Sequence, residues 1–254
     1  MVRADWSKNP KATFALGTTV ISTDPRDGRI EGDVSEVLGL LPDASNTTLL
    51  AKDANGLLVV YKPDEGARPL HDFDARTLSA REVLASKIDQ ALGFDAIPET
   101  VFIDGPYGRG SAQRLISEAF ETDPRPMLQG PNSDLWPLAV IDIIANNADR
   151  KLGHLLIEEG TGDVWGIDNG LMFHPEPKLR TVLWGFAGIA IPEPVHDGLQ
   201  RLSEALGEGL GREVADMLSP EEASALENRT NSLIADGVHP QPPTDRHAVP
   251  WPWW

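Results

Sequence analysis

Two aspartates, Asp149 and Asp168, flank a short segment whose pattern predicts two strands joined by a turn. The apolar runs 155–157 and 164–167 predict an antiparallel pair, because residues 159–162 between them are typical of a turn. Pairing of these strands would bring the two carboxylates together. Such a pair can hold Mg²⁺, which binds one or two carboxylates together with phosphate oxygens and water, and it can also orient a nucleophile.

A second pair of charged residues lies upstream. Lys62 ends the apolar run 57–62, and Glu82 lies in the first turn of the helix predicted after it. A lysine on the inner face of a strand needs a carboxylate partner, and such a pair can present its ammonium group to phosphate oxygens. For Lys62 taken alone, the alternative is a side chain that points to solvent at the end of a strand.

The elements that must position these residues begin with an antiparallel sheet and one helix in the first 120 residues. The predicted strands cover residues 36–41, 47–51, 57–62, 98–103 and 114–120. Ser79 and Glu82 fit the capping-box pattern, which predicts a helix that begins there and ends at Gly93. The glycines between residues 105 and 110 are interpreted as a turn.

The second half of the chain has a helical pattern. Residues 135–146 carry a broad apolar face, and the polar loop 147–154 leads from them into the strand pair. After about Pro192 the chain is acidic and helical, and Ser219 with Glu222 forms a second capping-box pattern.

The segment from His239 onward is rich in proline and contains Trp251, Trp253 and Trp254. Its composition shows neither helical nor strand periodicity. Three exposed indole rings would form an unusual apolar patch, so we expect this segment to dock on the body of the protein or on a partner.

Composition excludes several classes of protein and site. The 254 residues contain 22 Lys and Arg against 39 Asp and Glu, so the net charge of −17 repels nucleic acid and anionic lipid surfaces. The chain contains no cysteine, which excludes disulfides, thiolate nucleophiles and cysteine-bound metals and leaves Asp, Glu, Asn and His as metal ligands. No apolar run is long enough to cross a bilayer and no leader pattern is present, so we expect a cytoplasmic protein.

The order of these features resembles the protein-kinase-like fold. The motifs Asn147-Ala148-Asp149-Arg150 and Trp165-Gly166-Ile167-Asp168-Asn169-Gly170-Leu171 are similar to those of the phosphatidylinositol 3-/4-kinase-like group. Asp142 and the strand lysine in Tyr61-Lys62-Pro63 also match that group, and the match covers residues 36–172. The resemblance is nearest to type II phosphatidylinositol 4-kinases and to short bacterial proteins related to them.

This resemblance implies an α+β, bilobal protein-kinase-like fold. The N-lobe, residues 1–120, would be an antiparallel nucleotide-binding sheet with one key helix. The C-lobe, residues 121–254, would be mostly helical and would carry the catalytic loop and the metal-binding aspartate. The implied cofactors are ATP and Mg²⁺ or Mn²⁺.

The resemblance also implies a role for each residue of the site. Asp149 would orient the attacking hydroxyl or accept its proton, with Arg150 and Lys62 also in the catalytic group, and Asp168 would bind the metal. Lys62, held by Glu82, would contact the α- and β-phosphates, and residues 118–120 would form the hinge that binds adenine. The implied nucleotide-binding residues are Ser45, Asn46, Thr47, Lys62, Glu82, Glu118, Ala119 and Phe120.

One position departs from the kinase pattern. His154 stands five residues after Asp149, where such kinases usually carry an asparagine that binds a second metal. A neutral imidazole can bind a divalent metal and suits Mn²⁺ or Zn²⁺ better than Mg²⁺, so His154 is a candidate metal ligand. The alternative is a histidine that only packs or forms hydrogen bonds within the loop.

The sequence therefore predicts a kinase that transfers the γ-phosphate of ATP to a hydroxyl of a protein or a small molecule. The alternatives are a nucleotide-binding pseudokinase with a regulatory role and a protein nucleotidyltransferase that transfers AMP from the same pocket. The net charge disfavours nucleic acid and membrane lipid as partners. A monomer is favoured.

Overall fold

A computed structural model describes residues 28–41, 46–68, 70–119 and 123–254. These residues form two compact units. The first, called the sheet unit here, contains the described residues up to Ser79 together with Glu99–Leu115. The second, called the helical unit, contains Ala80–Pro98 and the described residues from Ile116 to Trp254.

The sheet unit contains five antiparallel strands in the order β1-β2-β3-β5-β4. The strands are β1 (Glu36–Leu40), β2 (Leu49–Lys52), β3 (Leu58–Pro63), β4 (Thr100–Gly105) and β5 (Gly108–Arg114). Alternate residues Val59 and Tyr61 of β3 lie in a buried apolar cluster that also contains Leu49 and Ala112. Because side chains alternate across a strand, Lys62 lies on the opposite face of the sheet from that cluster.

The first three predicted strands are confirmed, but the predicted partner of β4 is wrong. The chain turns after Gly105 and returns at once as β5, whereas the sequence predicted that residues 114–120 would pair back. Gly108 and Gly110 belong to β5, and at Gly110 this strand runs very close to β3. A Cβ atom at Gly110 would lie 2.1 Å from the carbonyl oxygen of Lys62, so no larger residue fits there.

The predicted helix is α1 (Leu78–Leu92), and it begins differently from the prediction. A 3-10 turn, Ala75–Thr77, runs directly into α1, and the side chain of Asp74 caps that turn. Ser79 is therefore inside the helix, where its hydroxyl donates a hydrogen bond to Asp64, and the predicted capping box of Ser79 and Glu82 is wrong.

The apolar face of α1 packs in the core of the helical unit. Leu84, Ile88 and Leu92 are buried in the same cluster as residues of α2 (Trp136–Ile144). The contacts thus group α1 with the helical unit, whereas the sequence predicts it in an N-lobe that ends at residue 120. That lobe boundary stays a prediction.

The remaining helices complete the helical unit. They are α3 (Glu193–Leu206), α4 (Gly209–Met217) and α5 (Pro220–Asp236). The predicted capping box at the start of α5 is confirmed, because Ser219 and Glu222 each accept a hydrogen bond from the backbone N–H of the other. None of the described helices is both long enough and apolar enough to span a membrane.

The segment that contains three tryptophans lies against the helical unit through its backbone. The N–H of Leu152, three residues after Asp149, donates to the carbonyl oxygen of Trp253 at 2.8 Å. This confirms the predicted docking for the backbone alone. Trp251, Trp253 and Trp254 remain 82%, 37% and 60% exposed, so the expectation that docking covers the three indole rings is wrong.

Candidate active site

A buried aspartate at the end of α2 anchors the loop that follows. The carboxylate of Asp142 accepts hydrogen bonds from Asn147 Nδ2 at 2.8 Å and from Thr181 Oγ1 at 2.8 Å, and it pairs with the guanidinium of Arg150 at 3.0 Å. Both charged side chains of this ion pair are completely buried. A buried carboxylate needs such a full set of donors, because an unpaired buried charge is strongly destabilising.

The loop that carries Asp149 is held on both sides by backbone hydrogen bonds. The N–H of Ala148 donates to the carbonyl oxygen of Leu171, and the N–H of Arg150 donates to that of Arg180. Within the loop, Asn147 Oδ1 accepts from the N–H of Asp149 at 3.0 Å. The conformation of the loop is therefore determined by its neighbours in the helical unit.

Arg150 connects this loop to the segment that carries Asp168. Its guanidinium donates to the carbonyl oxygen of Ile167 and to Asn169 Oδ1, both at 2.8 Å, while it pairs with Asp142. The assignment of Arg150 to the catalytic group stays a prediction. The contacts that the structure shows for this buried side chain are those that hold the two segments together.

Asp149 itself is accessible and carries an ion pair. Its carboxylate lies 2.8 Å from Lys151 Nζ, and about a quarter of each side chain is exposed. The side chain that the resemblance assigns to proton transfer thus lies at the surface of the helical unit, with a cation beside it.

The predicted strand pair is confirmed as β6 (Leu155–Ile157) and β7 (Val164–Gly166). The pairing continues for one residue beyond the strands, because the N–H of Ile167 donates to the carbonyl oxygen of His154. This register places His154 beside Asp168, with 3.4 Å between Nε2 and Oδ2.

The environment of His154 favours a neutral ring. Burial lowers the pKa of its imidazole, and the neighbouring carboxylate of Asp168 opposes this effect only in part. Its Nδ1 lies 3.5 Å from the backbone N–H of Lys151. A neutral imidazole is the form that can bind a metal. Its assignment as a metal ligand stays a prediction.

Glu82 contacts the same segment from α1. Its Oε2 accepts a hydrogen bond from the backbone N–H of Asn169 at 3.0 Å, and both residues are buried. The predicted partner of Glu82, Lys62, belongs to the sheet unit and is half-buried on β3. The pairing of Lys62 with Glu82 stays a prediction.

The predicted phosphate-binding loop lies between β1 and β2. Ser45 is outside the described residues. The N–H of Thr47 already donates to the carbonyl oxygen of Gly66 at 3.2 Å, and Asn46 Oδ1 accepts from the N–H of Arg68 at 2.9 Å. The backbone amide of Thr47 and the side chain of Asn46 thus hold the loop against the segment after β3.

The predicted hinge pairs with the end of β6. The N–H of Ala119 donates to the carbonyl oxygen of Ile157, and Glu118 lies opposite Glu158 in an antiparallel bridge. Glu118 and Glu158 form a non-hydrogen-bonded antiparallel pair, in which the backbone N–H and C=O of each residue point away from the other residue. The N–H and C=O of Glu118 therefore point away from Glu158. Phe120 is outside the described residues.

The side chains around Asp168 fit a divalent cation that is shared with a nucleotide. Asp168 offers carboxylate oxygens on a side chain that is 54% exposed. In the part of the chain that the structure describes, no three His, Asp or Glu side chains lie together in a metal-binding group. Mg²⁺ typically takes one or two carboxylates and completes its coordination with phosphate oxygens and water. The donors present fit that arrangement and not a metal held by the protein alone.

Sequence reasoning missed the network that joins these parts. The motifs pointed to Asp149 and Asp168, whereas Arg150 and Asn169 are what connect the two segments. The available signal was Asp142, an acidic residue within the strongly apolar run 135–146. A buried carboxylate predicts a buried partner, and Arg150 is the nearest arginine in the following loop.

The fold is similar to solved structures of kinases. The Helicobacter pylori proinflammatory kinase CtkA matches 80% of this chain and 92% of its own with a TM-score of 0.51 and 12% identity. A Golgi casein kinase with Mn and ADP bound matches 81% and 72%, with a TM-score of 0.51 and 13% identity. Hydra Fam20 with sugar matches 82% and 85%, with a TM-score of 0.51 and 15% identity.

Likeness at such low identity shows the fold alone. The predicted fold class is confirmed: the chain has a bilobal, α+β protein-kinase-like fold with an antiparallel N-lobe sheet and a mostly helical C-lobe. The resemblance to the phosphatidylinositol 3-/4-kinase-like group stays a prediction. None of the protein-family models matches the chain.

A curated relative is much closer in sequence. Protein Rv2133c of Mycobacterium tuberculosis is 37% identical over 257 aligned positions, which cover 85% of this chain and 91% of the relative. Identity at that level over most of both chains shows common descent. The protein described here therefore belongs to the same family as Protein Rv2133c, and that family has a protein-kinase-like fold.

Proposed function

We propose that this protein is an ATP-dependent phosphotransferase that transfers the γ-phosphate to a hydroxyl of a protein or a small molecule. The observation that carries the proposal is the buried network of Asp142, Arg150 and Asn169. It fixes the loop of Asp149 and the segment of Asp168 relative to each other within the helical unit. Two accessible carboxylates held by one buried arginine suit a reaction that depends on positioning and on charge.

In this proposal Asp149 receives the acceptor hydroxyl. Its carboxylate orients the hydroxyl and accepts its proton as the oxygen attacks the γ-phosphorus and the bond between that phosphorus and the β-phosphate oxygen breaks, which releases ADP. Lys151, which lies 2.8 Å from that carboxylate, supplies positive charge near the transferred phosphate. Arg150 acts indirectly, because it holds the loop.

We propose that Asp168 and His154 hold the divalent cation, Mg²⁺ or Mn²⁺. When bound, the cation would neutralise charge on the phosphates of ATP. The neutral imidazole that burial maintains at His154 favours Mn²⁺. The Golgi casein kinase, which shares the fold, is described with Mn and ADP bound, and this supports Mn²⁺ and a nucleotide as ligands here.

The nucleotide is proposed to contact the residues that the sequence motifs indicate. Lys62, paired with Glu82, contacts the α- and β-phosphates, and Asn46, Thr47 and Ser45 complete the phosphate-binding loop. Adenine binds at the hinge 118–120, where the outward N–H and C=O of Glu118 suit it better than the N–H of Ala119, which is already used by Ile157.

The acceptor is proposed to be neutral or cationic. The net charge of −17 disfavours anionic lipids and nucleic acids. The motifs around Asp149 and Asp168 support a place in the phosphatidylinositol 3-/4-kinase-like group, but the charge argues for an acceptor other than its lipid.

Transfer from γ-labelled ATP into a cell extract tests the proposal directly. With Mg²⁺ or Mn²⁺, the wild-type protein should label an acceptor, and Asp149→Asn should reduce the rate by about 10²–10⁴-fold. Asp168→Ala should abolish labelling. Asp163→Ala is the matched control, because Asp163 is an exposed aspartate in the turn of the same strand pair. Failure of the wild-type protein to bind ATP under either metal would reject the proposal.

A pseudokinase is the second candidate, and the observation that favours it is His154 at the usual asparagine position. In that case ADP or ATP with Mn²⁺ would raise the melting temperature, yet ATP would not be consumed. Mass spectrometry of the products also identifies AMP transfer, the third reaction that the sequence leaves open, because an added AMP and an added phosphate differ in mass.

A further inference from the structure

A buried arginine on α1 contacts the segment that follows Asp168. Arg81 Nη1 donates to the carbonyl oxygen of Met172 at 2.6 Å, and its Nη2 donates to Glu222 Oε1 at 2.5 Å. Both partners are distant in sequence, and all three residues are buried. The guanidinium therefore joins α1, the segment after Asp168 and the first turn of α5.

Glu222 is itself held rigidly by its second carboxylate oxygen. Its Oε2 accepts from the N–H of Ser219 at 2.9 Å, while the hydroxyl of Ser219 accepts from the N–H of Glu222. This capping box uses one oxygen of Glu222 and leaves the other for Arg81. The position of Arg81 is thus set by the start of α5.

The segment 168–172 is held at both ends by neighbouring residues of α1. Glu82 accepts from the N–H of Asn169, and Arg81 donates to the carbonyl oxygen of Met172. Side chains from one helical turn therefore hold both ends of a short loop.

The backbone of this loop needs such support. Asp168 has φ of 57° and Phe173 has φ of 70°, both in the left-handed region that residues other than glycine rarely occupy. Residues keep this conformation when their surroundings determine it, and such residues cluster at functional sites. The contacts of Arg81 and Glu82 lie between the two left-handed residues, where they can maintain both.

We propose that Arg81, braced by Glu222, is a positioning residue for Asp168. It holds the segment 168–173 in the conformation that presents the carboxylate, and it couples the start of α5 to that segment. This inference rests on the proposed function of Asp168 as a metal ligand, and it assigns to Arg81 and Glu222 a role that the sequence motifs did not.

Three variants separate positioning from helix capping. Glu222→Gln keeps the capping box, because glutamine serves at that position, but removes the charge that faces Arg81. Arg81→Met removes the contact with Met172 directly. Ser219→Ala is the matched control, since it removes the cap of α5 and leaves the carboxylate of Glu222 available to Arg81.

Two readouts are measured for each variant. Hydrogen exchange of peptides that cover residues 168–173 reports the loop in the metal-free protein. The Mn²⁺ concentration that gives half of the thermal stabilisation by Mn²⁺ with ADP reports the presentation of Asp168. Arg81→Met and Glu222→Gln should each speed the exchange and raise the Mn²⁺ midpoint by about tenfold, which corresponds to one lost hydrogen bond to a charged group. Stabilisation by ADP alone should not change.

Ser219→Ala should lower the melting temperature without moving either readout. The inference is overturned if Ser219→Ala moves both readouts as far as Glu222→Gln does, or if Arg81→Met leaves the exchange unchanged. Should Arg81→Met fail to fold, the double variant Arg81→Met/Glu222→Met decides, because replacing both charges of a buried pair is often tolerated. If the wild-type protein shows no response to Mn²⁺ with ADP, the proposed function fails, while the exchange data still judge the role of Arg81 in the loop.

Discussion

Helices α1 and α5 start with the same local pattern, a serine followed three residues later by a glutamate. In α5 the pair caps the helix, and each residue serves the backbone of the other. In α1 the helix has already begun at the 3-10 turn capped by Asp74, so Ser79 and Glu82 turn to partners elsewhere, Asp64 and Asn169. The same motif therefore serves either local or tertiary structure, depending on where the helix starts.

The two helices also differ in the polar groups that they bury. The buried polar residues of α1 are Ser79, Arg81, Glu82, Ser86 and Asp89, whereas those of α5 are Glu222 and Thr230. Burying a polar group costs free energy unless it finds a partner. The buried polar residues of α1 are thus explained by the segments that they hold in place. The loss of unfolding free energy when each of these contacts is removed can be measured.

The largest effect is expected for Arg150, which binds the side chain of Asn169, while Glu82 binds the backbone N–H of Asn169. Arg150→Ala leaves the carboxylate of Asp142 buried and unpaired, so the free energy of unfolding should fall by about 3–5 kcal/mol. Urea denaturation followed by tryptophan fluorescence measures it. The control is Arg125→Ala, which removes an exposed ion pair with Asp123 and should leave the midpoint unchanged. Equal stability of the two variants would contradict the role of the buried network.

A pH dependence should arise from another buried group of α1. Burial raises the pKa of Asp89 to about 7, although its Oδ2 accepts from the N–H groups of Ala96 and Ile97. The folded protein therefore binds a proton between about pH 4 and pH 7 that the unfolded chain has released, so stability falls as the pH rises through that window.

The fall should total at most about 4 kcal/mol, since each unit of pKa is worth 1.36 kcal/mol. Asp89→Asn keeps an acceptor for both N–H groups and should flatten the curve of unfolding free energy against pH. A wild-type curve without this slope would show that Asp89 is ionised when folded.

A smaller effect is expected for Glu82. Glu82→Ala leaves the N–H of Asn169 buried without its acceptor and should reduce the unfolding free energy by about 1–3 kcal/mol. Glu82→Gln, which retains a carbonyl oxygen, should recover part of this loss. If the alanine variant were as stable as the wild type, α1 and α5 would not differ in the way described above.

The smallest effects are expected for the two serines, Ser219 and Ser79. Ser219→Ala removes a helix cap and should cost about 1 kcal/mol. Ser79→Ala places a good helix former inside α1, which offsets part of the lost hydrogen bond to Asp64, and should cost about 0.5 kcal/mol. Chemical denaturation of both variants gives the order, and a larger loss for Ser79→Ala would mean that the hydrogen bond to Asp64 stabilises the protein more than the helix cap at Ser219 does.

Much of the fold and part of the site could be predicted from local patterns. Strands β1 to β3, the pair β6 and β7, helix α2 and the cap at Ser219 all follow from periodicity and turn residues, which act over a few residues. The strand β5 could not be predicted in this way, because Gly110 is required by the nearby carbonyl oxygen of Lys62 and not by a turn. The motif that contains Arg150 does not indicate that its side chain is buried, so the contacts of Arg150 with Asp142 and Asn169 could not be predicted from that motif.

The sequence by itself determined which side chains are available for chemistry. It supplied Asp149, Asp168 and His154, contained no cysteine, and carried the negative charge that disfavours anionic partners. The tertiary structure alone decided which of the charged residues are accessible and which are buried in support of them. The physical reason is that the partners of Arg150, Arg81 and Glu82 come from segments distant in sequence, so their roles exist only after the helical unit has packed.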